Sequence, residues 1–171
     1  MARIGILTFS NTLNYGAAMQ CYALTTYLKG QGHDISVIDY RNNRIEKKGK
    51  RCLSSIRNFK DMLLYLITKR NFLTREKLFD EFNCNYLPMT VPIEKNNVKE
   101  VLSKYDVVIV GSDQVWNGLL TDNDYTYYLP FDLAGVGKIS YAASFGKGIP
   151  DEKEWVKISS YLKQFDKISV R

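Results

Sequence analysis

The sequence predicts a Rossmann-like, doubly wound α/β fold, a mostly parallel sheet with helices on both faces. Three observations carry that prediction. Short apolar runs without strict alternation recur along the chain, as buried parallel strands do. Helical stretches separate those runs, so strand and helix alternate. The 171 residues, 45% hydrophobic and 25% charged, also suit a single α/β domain over 1–171 with a core of several strands.

The first strand is expected at Arg3–Thr8 (RIGILT), followed by a polar turn at Ser10–Gly16. Ala17–Lys29 reads as a helix, with Met19, Tyr22, Ala23, Thr26 and Tyr27 at helical spacing and Gly30 and Gly32 to end it. Asp34–Asp39 (DISVID) is the second strand and completes a βαβ unit with a right-handed crossover. Leu53–Thr68 and Thr74–Tyr86 read as two helices, and Pro88 and Pro92 bracket an extended link. A brief helix at Asn97–Lys104 leads into Asp106–Val110 (DVVIV), the most strongly apolar strand. Lys138–Ser144 is a fourth strand, Glu152–Phe165 a helix, and Lys167–Val170 a fifth strand. Because the chain stops at Arg171, directly after that strand, it is expected to be the front part of a longer protein.

Composition removes several function classes. The apolar run at the N-terminus is broken at once by Ser10, Asn11 and Thr12, too early for a signal peptide or a membrane span, which points to the cytoplasm. Cys21, Cys52 and Cys84 form no CxxC, and His33 is the only histidine, so neither a zinc cluster nor a disulfide framework is expected. Net charge is +6, much of it in Arg41–Arg51 (RNNRIEKKGKR). No aromatic residue interleaves this stretch and no nucleic-acid-binding pattern surrounds it, so a solvated loop is preferred and an anionic ligand comes next. Gly16 stands alone rather than in GxGxxG. Gly135, Gly137 and Lys138 lack P-loop spacing, so those nucleotide-binding routes are disfavoured.

Ligands of such sheets bind beyond the carboxyl ends of the strands. Three of those ends are polar and glycine-rich: Phe9–Gly16, Gly111–Asn117 (GSDQVWN) and Ala143–Gly148. In the second, Gly111 suits a tight turn, and Ser112, Asp113 and Gln114 offer a hydroxyl, a carboxylate and an amide. Trp116 adds an aromatic face and Asn117 another amide, a mixture suited to a polyhydroxylated ligand. The competing reading has Ser112 or Asp113 capping a helical turn while Trp116 packs in the core. In the first loop, Asn11, Asn14, Tyr15 and Gly16 precede a helix whose N-terminus is a natural seat for an anion. Ser144 in SFGKG pairs a hydroxyl with glycines, which serve equally well as turn residues.

Together, IGILTFSNTLNYGAAMQCYAL (Ile4–Leu24), DVVIVGSDQVWN (Asp106–Asn117), KISYAASFG (Lys138–Gly146) and KISVR (Lys167–Arg171) resemble the polysaccharide pyruvyl transferase family. The resemblance implies the N-terminal half of a glycosyltransferase-B-like, two-domain enzyme whose C-terminal domain is absent from this chain, leaving the fragment inactive alone. The implied reaction transfers a pyruvyl group from phosphoenolpyruvate to a pair of sugar hydroxyls, giving a pyruvate ketal in polysaccharide biosynthesis. No metal or cofactor is implied beyond phosphoenolpyruvate as donor substrate. The acceptor, a sugar or polysaccharide that includes the lipid-linked case, would meet Asp113 as the catalytic base. Asn11, Asn14, Tyr15, Gly16, Gly111, Ser112, Gln114, Trp116, Asn117 and Ser144 would form the rest of the site, and Arg171 would reach the donor.

A chain of this kind would work in the cytoplasm, including the inner face of the membrane, with no nucleic-acid partner. An uncovered interdomain surface would permit self-association, with Tyr125, Tyr127 and Tyr128 contributing. Two other functions compete: a non-catalytic glycan-binding module and half of a nucleotide-sugar glycosyltransferase.

Overall fold

The structure, a computed structural model, describes residues 1–42, 45 and 58–171. Five strands, β1 (Arg3–Leu7), β2 (Asp34–Val37), β3 (Val107–Asp113), β4 (Gly137–Ala143) and β5 (Lys167–Val170), form one sheet in the order β2-β1-β3-β4-β5. Every neighbouring pair is parallel. The helices are α1 (Tyr15–Gly30), α2 (Phe59–Tyr86), α3 (Val98–Leu102), α4 (Gly118–Thr121) and α5 (Glu152–Leu162), with a 3-10 turn at Tyr125–Tyr128. This is the doubly wound α/β arrangement that the apolar runs predict.

Alternation along the strands sorts their side chains to two faces. Ile4, Ile6, Ile35 and Ile109 pack on one side with Leu24 and Leu28 of α1. Leu7, Val108 and Val110 share the other side with Val98 and Leu102 of α3 and Ile158 of α5. The chain first winds from β1 outward to β2, then crosses back to place β3 on the opposite flank of β1. The gap between β1 and β3 is therefore the topological switch point, where sheets of this order open a crevice at the carboxyl ends of the strands. Register sets the depth of that crevice, with Ile4 opposite Val107 and Leu7 opposite Val110.

Three local expectations change. α2 is one continuous helix where two were expected, because KRNFL (Lys69–Leu73) contains neither Gly nor Pro to break it. Thr74 does not cap a new helix; its hydroxyl donates back to the Arg70 carbonyl at 3.1 Å. β3 does not end at Val110 but runs on through Gly111 and Ser112 to Asp113. The helix after β1 starts at Tyr15 rather than Ala17, because Asn14 caps it. The link between Pro88 and Pro92 is extended, and it lies along the far end of β2 through bridges from Val37 to Met89 and from Tyr40 to Ile93. Most of the basic stretch Arg41–Arg51, the start of the helix expected from Leu53, and Cys52 lie outside the described residues.

Lys138 shows how the interior handles a charge. Its side chain runs under the sheet, and Nζ donates to the carbonyls of Leu129 (3.2 Å) and Phe131 (2.6 Å) and to Gln164 Oε1 (2.9 Å). Three acceptors match the three protons of an ammonium. Burial holds its pKa below the usual lysine value, with Asp132 and Asp166 acting in the other direction. The lysine thus ties β4 to the segment before it and to the turn after α5.

Candidate functional site

The switch point is cross-tied before it is open. Gln20, on the inward side of α1, donates from Nε2 to Thr8 Oγ1 at 3.0 Å. Its Oε1 accepts from the Ser112 hydroxyl (2.9 Å) and the Ser112 N–H (3.2 Å). Ser112 is thus buried and spent on holding α1, β1 and β3 together. Beside it, Gly111 has φ of +109°, and its peptide bond to Ser112 is cis. A Cβ at Gly111 would run into the Tyr141 carbonyl oxygen of β4. Gly111→Ala should therefore destabilise the domain by about 3 kcal/mol or more, a combination of the unfavourable φ and backbone overlap. Urea unfolding checks this, and a loss of under about 1 kcal/mol would show that the backbone relaxes freely.

Beyond Ser112 the loop is anchored from below. Trp116 is only 1% exposed. Its ring stacks on Tyr128 at 5.7 Å and meets Phe145 and Phe165, while Nε1 donates to the Tyr127 carbonyl at 3.0 Å. The Tyr128 hydroxyl returns a bond to the Trp116 carbonyl at 3.0 Å. A buried ring of this size is worth about 3–5 kcal/mol against alanine. The structure thus places Trp116 in the core, as the competing sequence reading has it, and not on the open face. Asn117 is buried too. Its Oδ1 accepts from Leu119 N–H, capping α4, and its Nδ2 donates to Gln114 Oε1 at 2.9 Å. The cap falls to Asn117 rather than to Ser112 or Asp113.

The third loop closes over this one. Ser144 N–H donates to the Asp113 carbonyl (3.0 Å), and its own carbonyl accepts from Trp116 N–H (3.2 Å). At Gly146, φ is +55°, and a side chain there would strike Gln114 Oε1. Gly146 is therefore required both for its turn and for this close approach.

What remains open is a crevice of about 540 Å³ between the β1 and β3 loops. Phe9, Leu13, Asn14, Tyr15, Asp113 and Gln114 face it. Asp113 Oδ1 accepts from Gln114 N–H at 2.7 Å, which fixes the carboxylate. Oδ2 has no hydrogen-bond partner among the described residues. Asn14 spends its amide oxygen on the helix it caps, accepting from Gly16 N–H (2.9 Å) and Ala17 N–H (3.4 Å). Those N–H groups are then not free to seat an anion, contrary to the expectation for this helix end. Tyr15 is largely exposed; its ring lies against Phe79 and under the Arg75 guanidinium, 5.9 Å away. The crevice thus brings together Asn14, Tyr15, Asp113 and Gln114 and leaves the other predicted residues outside. Asn11 lines a neighbouring cavity instead. Arg171 is exposed, and its N–H donates to the Ala143 carbonyl at 3.2 Å.

Asp113 thus sits at the switch point of a parallel sheet, within GSDQVWN, one of the four segments on which the sequence resemblance rests. The profile of the polysaccharide pyruvyl transferase family matches residues 14–171. The chain belongs to that family. No curated protein matches it.

For a member of the polysaccharide pyruvyl transferase family, two further features bear on the site. The first is a buried polar cluster behind the crevice. Asp124 accepts from the Tyr40 hydroxyl (2.5 Å), Asn42 Nδ2 (2.9 Å) and Thr126 (N–H 3.1 Å, hydroxyl 2.8 Å). Burial pushes the Asp124 pKa up, but these donors together outweigh it and leave the carboxyl below its usual value. The cluster locks the 3-10 turn to the end of β2. Tyr127 and Tyr128 are buried alongside it, so neither forms a surface for self-association. The second feature is Arg75, which donates to the carbonyl of the crevice-lining Leu13 at 2.9 Å and so sets a cation beside the crevice. Sequence reasoning missed Arg75 and Gln20. The signal for Gln20 was a polar residue on the inward stripe of α1, beside Ala17 and Cys21. Arg75 had no local signal.

Among the described residues no group of His, Cys, Asp and Glu could hold a metal ion, and no helix is long and apolar enough to cross a membrane.

Proposed function

We propose that this domain supplies the acceptor wall of a pyruvyl transferase, where a sugar hydroxyl pair is ketalised with the pyruvyl group of phosphoenolpyruvate. The observation that carries the reading is Asp113, a carboxylate that lines the crevice of a chain in this family, with one oxygen fixed by a backbone N–H and the other without a hydrogen-bond partner among the described residues. In the reaction, an acid protonates the methylene carbon of the enol, and a sugar hydroxyl adds to the resulting cationic carbon while Asp113 accepts its proton. The second hydroxyl then attacks the same carbon and phosphate departs with that hydroxyl's proton, so two C–O bonds form and one breaks.

Gln114, with Asn14 and Tyr15 across the crevice, would orient the acceptor. The donor needs more positive charge than this crevice holds. Phosphoenolpyruvate carries a phosphate and a carboxylate, and the described residues facing the crevice include no Lys or Arg. Arg75 at the rim is one contributor. The others are assigned to a second domain closing over the strand ends in a glycosyltransferase-B-like arrangement, with Arg171 on the donor side. The whole protein would act in the cytoplasm, at the membrane face where the acceptor is lipid-linked.

Calorimetric titration of the whole gene product tests the reading. Phosphoenolpyruvate should bind saturably and a nucleotide-sugar should not. The opposite result would make the protein a nucleotide-sugar glycosyltransferase, and binding of glycan with neither donor would make it a binding module.

A further inference from the structure

The ladder between β1 and β3 ends with Leu7 opposite Val110, while β3 runs on for three residues to Asp113. Past that last pair the side chain of Gln20 bridges the two strands. Its Oε1 accepts from the N–H and the hydroxyl of Ser112, and its Nε2 donates to Thr8 Oγ1. The direct contact across the same gap, from the Thr8 hydroxyl to the Ser112 carbonyl, is 3.5 Å long, at the limit of a hydrogen bond. The amide has one possible orientation, because a backbone N–H only donates and the atom meeting it at Ser112 must be the oxygen. Thr8 and Ser112 are both buried, so water is not a ready substitute for the bridge.

Gln20 belongs to the same helix as one wall of the crevice. Asn14 caps α1 and Tyr15 opens it, and both line the crevice. Ser112 is the residue before Asp113, which lines the crevice together with Gln114. A single side chain thus joins the wall carried by α1 to the wall carried by β3. Asp113 is also held by Gln114 N–H on Oδ1 and by Ser144 N–H on its carbonyl. Those donors belong to the loops after β3 and β4, and neither ties Asp113 to α1.

We infer that Gln20 is a positioning residue for pyruvyl transfer: through Ser112 it sets the span between Asp113 and the Asn14–Tyr15 wall. The inference rests on the proposed role of Asp113 as the base. A sugar seated against α1 presents its hydroxyl to Asp113 only when the two walls stand at the right distance. A misplacement of about 1 Å at such a contact costs about a hundredfold in rate.

Kinetics of the whole gene product test it, with two replacements of nearly equal size. Gln20→Met keeps the bulk of the side chain and drops its three hydrogen bonds. Gln20→Glu keeps an oxygen on Ser112, and the Thr8 hydroxyl can turn to donate to the other oxygen. Gln20→Met should lower kcat about a hundredfold and leave KM for phosphoenolpyruvate within about threefold, while Gln20→Glu should keep kcat within about fivefold. Thr8→Val, which releases only the far end of the bridge, should lower kcat about tenfold. In an Asp113→Asn background Gln20→Met should cost less than about threefold more, because both changes act on one step. Val98→Ala, in the core on the opposite side of the sheet, weakens the fold without touching the bridge and should keep kcat. Urea unfolding places all the variants on one stability scale. The inference is overturned if folded Gln20→Met and Thr8→Val both keep full turnover while Asp113→Asn is crippled. It is equally overturned if Val98→Ala loses as much kcat at equal stability, or if the losses at Gln20 and Asp113 simply multiply. Full turnover by Asp113→Asn alone would remove the proposed base, and the positioning role with it.

Discussion

Asp113→Asn should lower pyruvyl transfer by the whole gene product about a hundred- to ten-thousandfold, with the melting temperature almost unchanged. The separation of the two effects follows from how the two oxygens are used. Oδ1 accepts from Gln114 N–H at 2.7 Å, and an asparagine oxygen can accept the same bond, so the loop keeps its geometry. The loop's stability comes from elsewhere, chiefly from Trp116 packed beneath it and from the Ser144 N–H on the Asp113 carbonyl. Oδ2 is the atom that changes. As a carboxylate oxygen it can take a proton from a sugar hydroxyl; as an amide NH₂ it can only donate. Phosphate release from phosphoenolpyruvate in the presence of acceptor is the measurement. Unchanged kcat and KM in Asp113→Asn would remove the residue from the mechanism.

Much of this was legible in the sequence, and the reason is locality. DVVIV and RIGIL are buried on both faces, so composition alone marks them as parallel strands, and strands of that kind place the loops that follow on one edge. The position of GSDQVWN at the site follows from that. Its internal division of labour does not. Whether Trp116 faces a ligand or the core depends on Tyr128, Phe145 and Phe165, which reach it only through tertiary packing. Ser112 reads as a ligand hydroxyl until Gln20, far off in the sequence, is seen to occupy it. The break expected between Thr68 and Thr74 does not occur, because nothing in KRNFL breaks a helix.

Stability should collapse between about pH 10 and pH 11, a larger effect than any single core substitution would produce. Four acids are buried in their protonated forms. Burial pushes the Cys21 thiol up to about 12, and it pushes the hydroxyls of Tyr40, Tyr127 and Tyr128 well above the ordinary tyrosine value. For Tyr40 and Tyr127 the Asp124 carboxylate adds to the effect of burial. Each group keeps its proton in the fold at a pH where the unfolded chain has lost it. The unfolded state then binds fewer protons, and stability falls as pH rises, by about 1.4 kcal/mol per pH unit for each group. The loss begins near pH 9 with Cys21 and steepens near pH 10 when the tyrosines join. Lys138 acts with the opposite sign, because its lowered pKa lets the fold shed a proton that the unfolded chain still holds. It is one group against four. By about pH 11 the net loss is on the order of 6 kcal/mol, comparable with the whole stability of a typical domain. Urea midpoints measured across this range should fall steeply, and Tyr127→Phe should remove about one proton's worth of the slope. A midpoint that stays level from neutral pH through this range would mean that these side chains ionise in the fold as they do in water.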